Sequence, residues 1–162
     1  MRPYQRDAHS AVRREWQNVR STLVVMPTGT GKTILFAHLI RSCFPRRALV
    51  LAHREELIFQ AADKIHKVTG FRCEVEMADY RADMGTGLFG GPQVVVSTIQ
   101  TQCSGADGSG RMTRFDPAMF GLLIVDEAHH ATAATYRRVI EYYRQNPALK
   151  VLCVTATPDR AD

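Results

Sequence analysis

The chain has little of what holds a small or secreted scaffold together. Its four cysteines, Cys43, Cys73, Cys103 and Cys153, lie 30, 30 and 50 residues apart, so none has the two-to-four-residue spacing of a zinc knuckle or a redox pair. They read as buried thiols in a reducing compartment. No apolar run approaches the roughly 18 residues that a membrane span needs, and Met1-Arg2-Pro3-Tyr4-Gln5-Arg6-Asp7 carries no signal-peptide hydrophobic region. The expectation is a cytoplasmic protein, or a nuclear one in a eukaryote, with no membrane partner. Internal repeats, coiled-coil heptads and long low-complexity tracts are also missing. Acidic residues are in deficit, 16 against 21 lysines and arginines, for a formal charge of +5. A surplus of this size admits a polyanionic partner, but scattered surface arginines give the same total, so it carries weight only beside motifs.

What is present is an ordinary globular composition: 162 residues, 45% hydrophobic and 23% charged. A domain of this length buries roughly 68–70% of its unfolded surface and needs no disulfide or metal staple. Leu23 to Met26, Ala48 to Ala52, Val94 to Val96, Leu122 to Val125 and Val151 to Val154 are continuous apolar runs of strand length. Such runs suit strands covered on both faces. Between them, Leu57, Ile58, Ala61, Ala62, Ile65 and Val68 recur at helical spacing, as do Tyr136, Val139, Ile140 and Tyr143. Before the first run, Tyr4, Ala8, Ala11, Val12, Trp16 and Val19 mark one face of a helix that Pro3 suits as a first-turn residue. Strand and helix therefore alternate, which predicts an α/β fold, a mainly parallel sheet with helices on both faces and functional loops along one rim. Asp79 to Pro92 and Ser104 to Gly110 read as irregular.

The sharpest local pattern is Met26-Pro27-Thr28-Gly29-Thr30-Gly31-Lys32-Thr33, between an apolar strand and a helix-like run from Ile34 to Cys43. This is the context of a phosphate loop. Gly29 and Gly31 let backbone N–H groups turn toward a phosphate, Lys32 reaches the outer phosphates, and Thr33 offers a hydroxyl to Mg²⁺. Thr28 and Thr30 complete the loop. The pattern departs from G-x-x-x-x-G-K-[ST] at its first position, which is Met26. Gly85-Thr86-Gly87-Leu88-Phe89-Gly90 spells the dinucleotide fingerprint but lacks a strand before it and meets Gly91-Pro92 after it, so it reads as a turn.

Leu122 to Val125 leads into Asp126-Glu127-Ala128-His129. Alone, an Asp-Glu pair at a strand end reads as the acidic start of a helix. On the same rim as Lys32 and Thr33 it gains two jobs: Asp126 holds Mg²⁺ through water, and Glu127 orients or deprotonates an attacking water. His129 and His130 are adjacent but have no third ligand at metal spacing, so a polar coupling role for His129 is the better reading.

With these residues in view, the chain resembles the superfamily 2 DEAD/DEAH-type helicases along nearly its whole length. Arg2-Pro3-Tyr4-Gln5, the phosphate loop, Leu51-Ala52-His53-Arg54-Glu55-Glu56-Leu57, Ser97-Thr98-Ile99-Gln100-Thr101, Asp126-Glu127-Ala128-His129 and Thr155-Ala156-Thr157-Pro158 stand in that family's motif order. The look is closest to the branch of type III restriction-enzyme motor subunits and DNA repair helicases. The resemblance implies a RecA-like P-loop NTPase domain over residues 1–162, using ATP and Mg²⁺ and acting on nucleic acid, DNA rather than RNA. It implies that Gln5 reads the adenine edge with Arg2 or Tyr4 beside the base. By the same resemblance Arg54, Thr98 and Gln100 face the backbone of a bound strand, and Thr155, Thr157 and His129 couple the two sites. Helicases of this type place ATP between two RecA-like domains, so the resemblance also implies a second such domain, absent from this chain, and a nearly inactive isolated domain. A translocase that does not separate strands and a nucleotide-controlled docking module are the alternatives.

Overall fold

The computed structural model describes residues 1–85, 90–105, 110–128 and 132–156. Apolar runs rich in Val, Leu and Ile become strands, and the segments with helical spacing become helices. The strands are β1 (Ser21–Val25), β2 (Ala48–Ala52), β3 (Cys73–Glu76), β4 (Val94–Thr98), β5 (Leu122–Val125) and β6 (Lys150–Thr155). The helices are α1 (Pro3–Glu15), α2 (Lys32–Ser42), α3 (Ile58–Thr69), α4 (Ile99–Cys103) and α5 (Ala133–Tyr143). All six strands join one parallel sheet in the order β1-β6-β5-β2-β4-β3. Pro3 does occupy the first turn of α1, where its missing N–H costs no helical bond.

Side chains of the central strands alternate between two cores, as the period of a strand requires. Ala48, Val50, Val94, Val96, Ile124 and Leu152 face one core with Val12 and Trp16 of the α1 region, Leu35 and Phe36 of α2 and Ile65 of α3. Leu49, Leu51, Val95, Leu123, Val125 and Val151 face the other with Ile99, Phe115, Val139 and Tyr143. Helices thus cover both faces, and β2, β4 and β5 are buried along their full length.

Three departures from the sequence reading have physical causes. β1 is an edge strand, covered by α1 on one side only, so Leu23 and Val25 stay 58% and 47% exposed. Tyr4, Val19 and Leu57 are also exposed, each at or beyond the end of the helical face they were assigned to. The other edge, β3, has the sequence Cys-Glu-Val-Glu and shows no apolar run at all. Its last residue, Glu76, is fully buried and accepts hydrogen bonds from the Ala82 N–H at 2.6 Å, from Arg111 Nε at 2.6 Å and from Arg114. Arg111 also donates to the Ala78 carbonyl at 2.8 Å. One carboxylate thereby fastens the 77–82 segment and the turn at Arg111–Arg114 to the sheet edge.

Burial pushes the Glu76 carboxyl up, but the hydrogen bonds from Arg114, the Ala82 N–H and Arg111 outweigh it and hold the pKa below the ordinary 4.5. Because the folded value lies below the unfolded one, this contribution is complete above about pH 4.5 and is lost as pH falls through the folded value. Glu76→Gln is expected to cost roughly 1–3 kcal/mol at pH 7. Urea unfolding should show the gap from wild type narrowing below pH 4.5. A gap of equal size at neutral and acid pH would contradict the charged network.

Candidate functional site

Parallel register brings the C-terminal ends of the strands to one rim. Val25 pairs with Thr155, Val125 with Cys153 and Leu51, and Ala52 with Thr98. Every motif singled out in the sequence within β1, β2, β4, β5 and β6 therefore leaves the sheet on the same side.

Beyond β1, the Met26 N–H still bonds the Thr155 carbonyl at 2.9 Å, and Met26 is 4% exposed. The position that departs from the phosphate-loop pattern is thus a packed, ladder-bonded residue. The turn follows: Thr30 donates from its hydroxyl to the Pro27 carbonyl at 2.6 Å. Gly29 and Gly31 have φ of 79° and 78°, in the left-handed region that favours glycine. Gly31 precedes α2 without a side-chain cap, and Lys32 and Thr33 open the helix.

The first turn of α1 braces this loop. Gln5, 3% exposed, donates its amide to the carbonyls of Thr30 and Gly31 at 2.9 and 3.2 Å and accepts from the Arg2 N–H at 2.8 Å. The Tyr4 hydroxyl donates to the same Thr30 carbonyl at 2.8 Å, and Arg2 donates to that hydroxyl at 3.2 Å. Arg2, Tyr4 and Gln5 are therefore beside the loop. Gln5 is no surface residue, and its amide is engaged with backbone carbonyls.

The acidic pair meets Lys32 directly. The Asp126 N–H bonds the Leu51 carbonyl at 2.8 Å, extending the rim by one residue. Asp126 Oδ1 accepts from the Glu127 N–H at 2.9 Å. Glu127 has φ of 53°, a left-handed conformation uncommon outside glycine. This turn aims Glu127 at Lys32 Nζ, which donates to Glu127 Oε1 and lies 3.8 Å from Asp126 Oδ1. Lys32 is only 9% exposed, so its cation is held largely out of water against two carboxylates. A cleft of about 280 Å³ opens here, lined by Thr28, Ala52, His53, Arg54, Leu57, Asp126, Glu127 and Ala156.

Along the same rim, Arg54 is exposed at the start of the turn Glu55–Leu57. Gln100 is exposed and hydrogen-bonded to His53 at 3.1 Å. Thr98 differs from the expectation of a strand contact. It is 1% exposed, its hydroxyl accepts from the Thr101 N–H at 3.0 Å and donates to the Thr101 hydroxyl at 2.7 Å, and it caps α4. A buried, doubly bonded cap offers nothing to a passing phosphate. Thr155 is 5% exposed and places its carbonyl on Met26. His129 and Thr157 lie outside the described residues, as do residues 86–89 of the fingerprint-like turn.

Two rim residues escaped the sequence reading. His53 stood in a recognisable segment, with position beside Arg54 as its only signal. Tyr136 reads from spacing as a core residue of α5, yet it lines a crevice with His53, Asp126 and Glu127. Burial, then Cys153 and the Asp126 carboxylate, push its phenol above the ordinary value.

A family model described as type III restriction enzyme, res subunit, matches residues 1–160. The chain is 31% identical over its full length to the putative ATP-dependent helicase IRC3 of Saccharomyces cerevisiae, of which it spans 24%. It is 28% identical, over 84% of its length, to the ATP-dependent DNA helicase mph1 of Aspergillus niger, of which it spans 12%. Among solved structures, the Hef helicase domain of Pyrococcus furiosus superposes with a TM-score of 0.73 at 19% identity, covering 99% of this chain and 34% of that one. The chain thus spans about a quarter or less of these curated relatives.

The loop geometry separates its two glycines. A Cβ at Gly29 would meet nothing within 4 Å, so Gly29→Ala is expected to cost only the left-handed conformation, roughly 1–2 kcal/mol. At Gly31 it would fall 2.5 Å from Gln5 Nε2, and the amide could withdraw only by releasing its carbonyl bonds. Gly31→Ala should cost roughly 2–4 kcal/mol in denaturant unfolding. Equal losses at the two positions would show that Gln5 does not brace the loop.

Proposed function

The chain belongs to the family of the type III restriction enzyme res subunit, and we propose that it is the ATP-binding motor domain of a superfamily 2 helicase or translocase that couples Mg-ATP hydrolysis to movement on DNA. The observation that carries this reading is the placement of Lys32, at the end of a two-glycine loop, against both carboxylates of Asp126 and Glu127. A lysine that is to bind phosphate has to be held at the helix start, and carboxylates that manage a metal and a water have to lie across from it.

The roles follow from the chemistry of each group. Backbone N–H groups from Gly29 to Thr33 and the Lys32 ammonium receive the phosphates, with Thr28 and Thr30 shaping the loop. A hard divalent cation takes oxygen donors, and Mg²⁺ in particular is bound by one or two carboxylates together with substrate phosphates. That donor set fits a Mg²⁺ carried in with nucleotide, held by the Asp126 carboxylate and the Thr33 hydroxyl, where it would supply charge neutralisation at the phosphates. Phosphate oxygens compete with Asp126 and Glu127 for Lys32. Release of Glu127 from Lys32 leaves that carboxylate to accept a proton from water.

Base recognition belongs beside the loop. An apolar slot of about 300 Å³ is bounded by Tyr4, Ala8, Val24, Val25, Met26, Pro27 and Thr30. Gln5 and Arg2 stand at its side, and Gln5 reaches an adenine edge by exchanging a loop carbonyl, which ties loop shape to the base bound. Arg54 and Gln100, exposed on the same rim, face the backbone of a DNA strand; the DNA helicase activity in the mph1 name favours DNA over RNA. A second RecA-like domain, in the sequence beyond this chain, supplies the arginines that stabilise transition-state charge, a contribution of about 10³ to 10⁵ in rate. Thr155, Thr157 and His129 couple the two sites. The protein works where DNA is, in the cytoplasm of a prokaryote or the nucleus of a eukaryote. Among the described residues no helix is long and apolar enough to cross a membrane. A docking module that only senses nucleotide has no use for Glu127.

In the full-length protein, Lys32→Ala is expected to weaken Mg-ADP binding roughly tenfold or more by calorimetry, the loss of one charge-assisted contact. Unchanged affinity would sink the phosphate-loop assignment. Glu127→Gln should keep ATP binding while turnover falls about 100-fold or more. Full turnover in that variant, or binding lost along with turnover, would remove Glu127 from the role of base.

A further inference from the structure

The opposite rim of the sheet carries a second charged surface. α1 runs from the phosphate loop to this side, where its last turns, the end of α2, the link to β2 and the start of β6 border a groove of about 700 Å³. Among the described residues, Arg13, Arg14, Arg46, Lys150 and His9 line it, and no Asp or Glu does. None of the carboxylates that form ion pairs among the described residues engages Arg13, Arg14 or Arg46. Lys150 is pinned in place, donating to the Trp16 carbonyl at 2.6 Å and the Val19 carbonyl at 3.3 Å, so its charge is fixed at the end of α1. Burial first, and the Arg13 cation next, hold His9 below the ordinary imidazole value.

The groove also has an aromatic platform. Phe44 is 60% exposed, and one face of its ring stacks on Phe71 at 5.4 Å with 23° between the planes. The ring is backed on one side and open on the other. Basic groups that neutralise phosphates, beside a fixed ring that accepts a base, are the two components of a site for single-stranded nucleic acid. A carboxylate-rich peptide would use the guanidinium groups equally well but would leave the open ring face idle.

We infer that this groove is a second binding site for single-stranded nucleic acid, with Arg13, Arg14 and Arg46 on phosphates and Phe44 under a base. It lies across the sheet from Arg54 and Gln100, so it holds a different stretch of strand from the one at the nucleotide rim. The inference needs none of the catalytic assignments.

The test uses the full-length protein and a labelled oligothymidylate, by fluorescence anisotropy across a salt series. Arg13→Ala combined with Arg46→Ala should lower the slope of log affinity against log salt by about 1.4, since each single-strand phosphate contact carries about 0.7. Phe44→Ala should weaken binding roughly fivefold or more with the slope unchanged, and Phe44→Tyr should restore it. An iodouracil-substituted strand should crosslink to the tryptic segment 42–46. Wild-type affinity and slope in the rear variants, with Arg54→Ala still weakened, would overturn the rear groove and leave the motor reading standing. Displacement of the strand from the groove by polyglutamate at equal charge concentration would overturn it in favour of an acidic peptide. Rear variants weakened in a protein that hydrolyses no ATP would support the groove and overturn the motor reading alone.

Discussion

The site depends on one cation held between two carboxylates that come from a different part of the chain. Lys32 is 95 residues from Glu127 and meets it because β1 and β5 are both parallel to β6 and flank it. Without that register, a lysine after β1 and an Asp-Glu pair after β5 would leave the sheet on separate rims. The pairing also accounts for the unusual backbone at Glu127. A left-handed φ at a non-glycine residue costs on the order of 1–3 kcal/mol and persists only where its surroundings hold it. Here the Asp126 carboxylate holds the Glu127 N–H while Lys32 holds its side chain.

The same economy runs through the rest of the rim. Gln5 and Tyr4 converge on the Thr30 carbonyl, so the entry to α1 and the loop before α2 are one unit. Met26 continues the ladder to β6 and ties that loop to Thr155, the first residue of the last motif. The 280 Å³ cleft then collects the loop, the acidic pair, the end of β2 and Ala156 around one space. A ligand there touches the loop, the acidic pair, the end of β2 and the residue after Thr155 at once.

The central strands were legible because burial on both faces leaves a continuous apolar run, as in Val94-Val95-Val96 and Leu122-Leu123-Ile124-Val125. The edges were not. β1 looks like a central strand but lacks cover on one face, and β3 is held by Glu76 and its arginines rather than by apolar side chains. The turn between β1 and α2 was legible because its glycines are required by backbone conformation, which leaves a mark in sequence. Thr98 carried the opposite risk: a strand-end threonine fits a phosphate contact and a helix cap equally, and only burial separates the two. Pairing of Lys32 with Glu127 left no local mark, since it is produced by strand order.

The most direct test of the account is a double-mutant cycle on the nucleotide-free protein, using Lys32→Met, Glu127→Gln and the combination, with stability from urea unfolding. If the cation is held by the acidic pair, the two substitutions couple by roughly 1–3 kcal/mol, because either one alone leaves a half-buried charge without its partner. Additivity within about 0.5 kcal/mol would contradict the pairing on which the site is built.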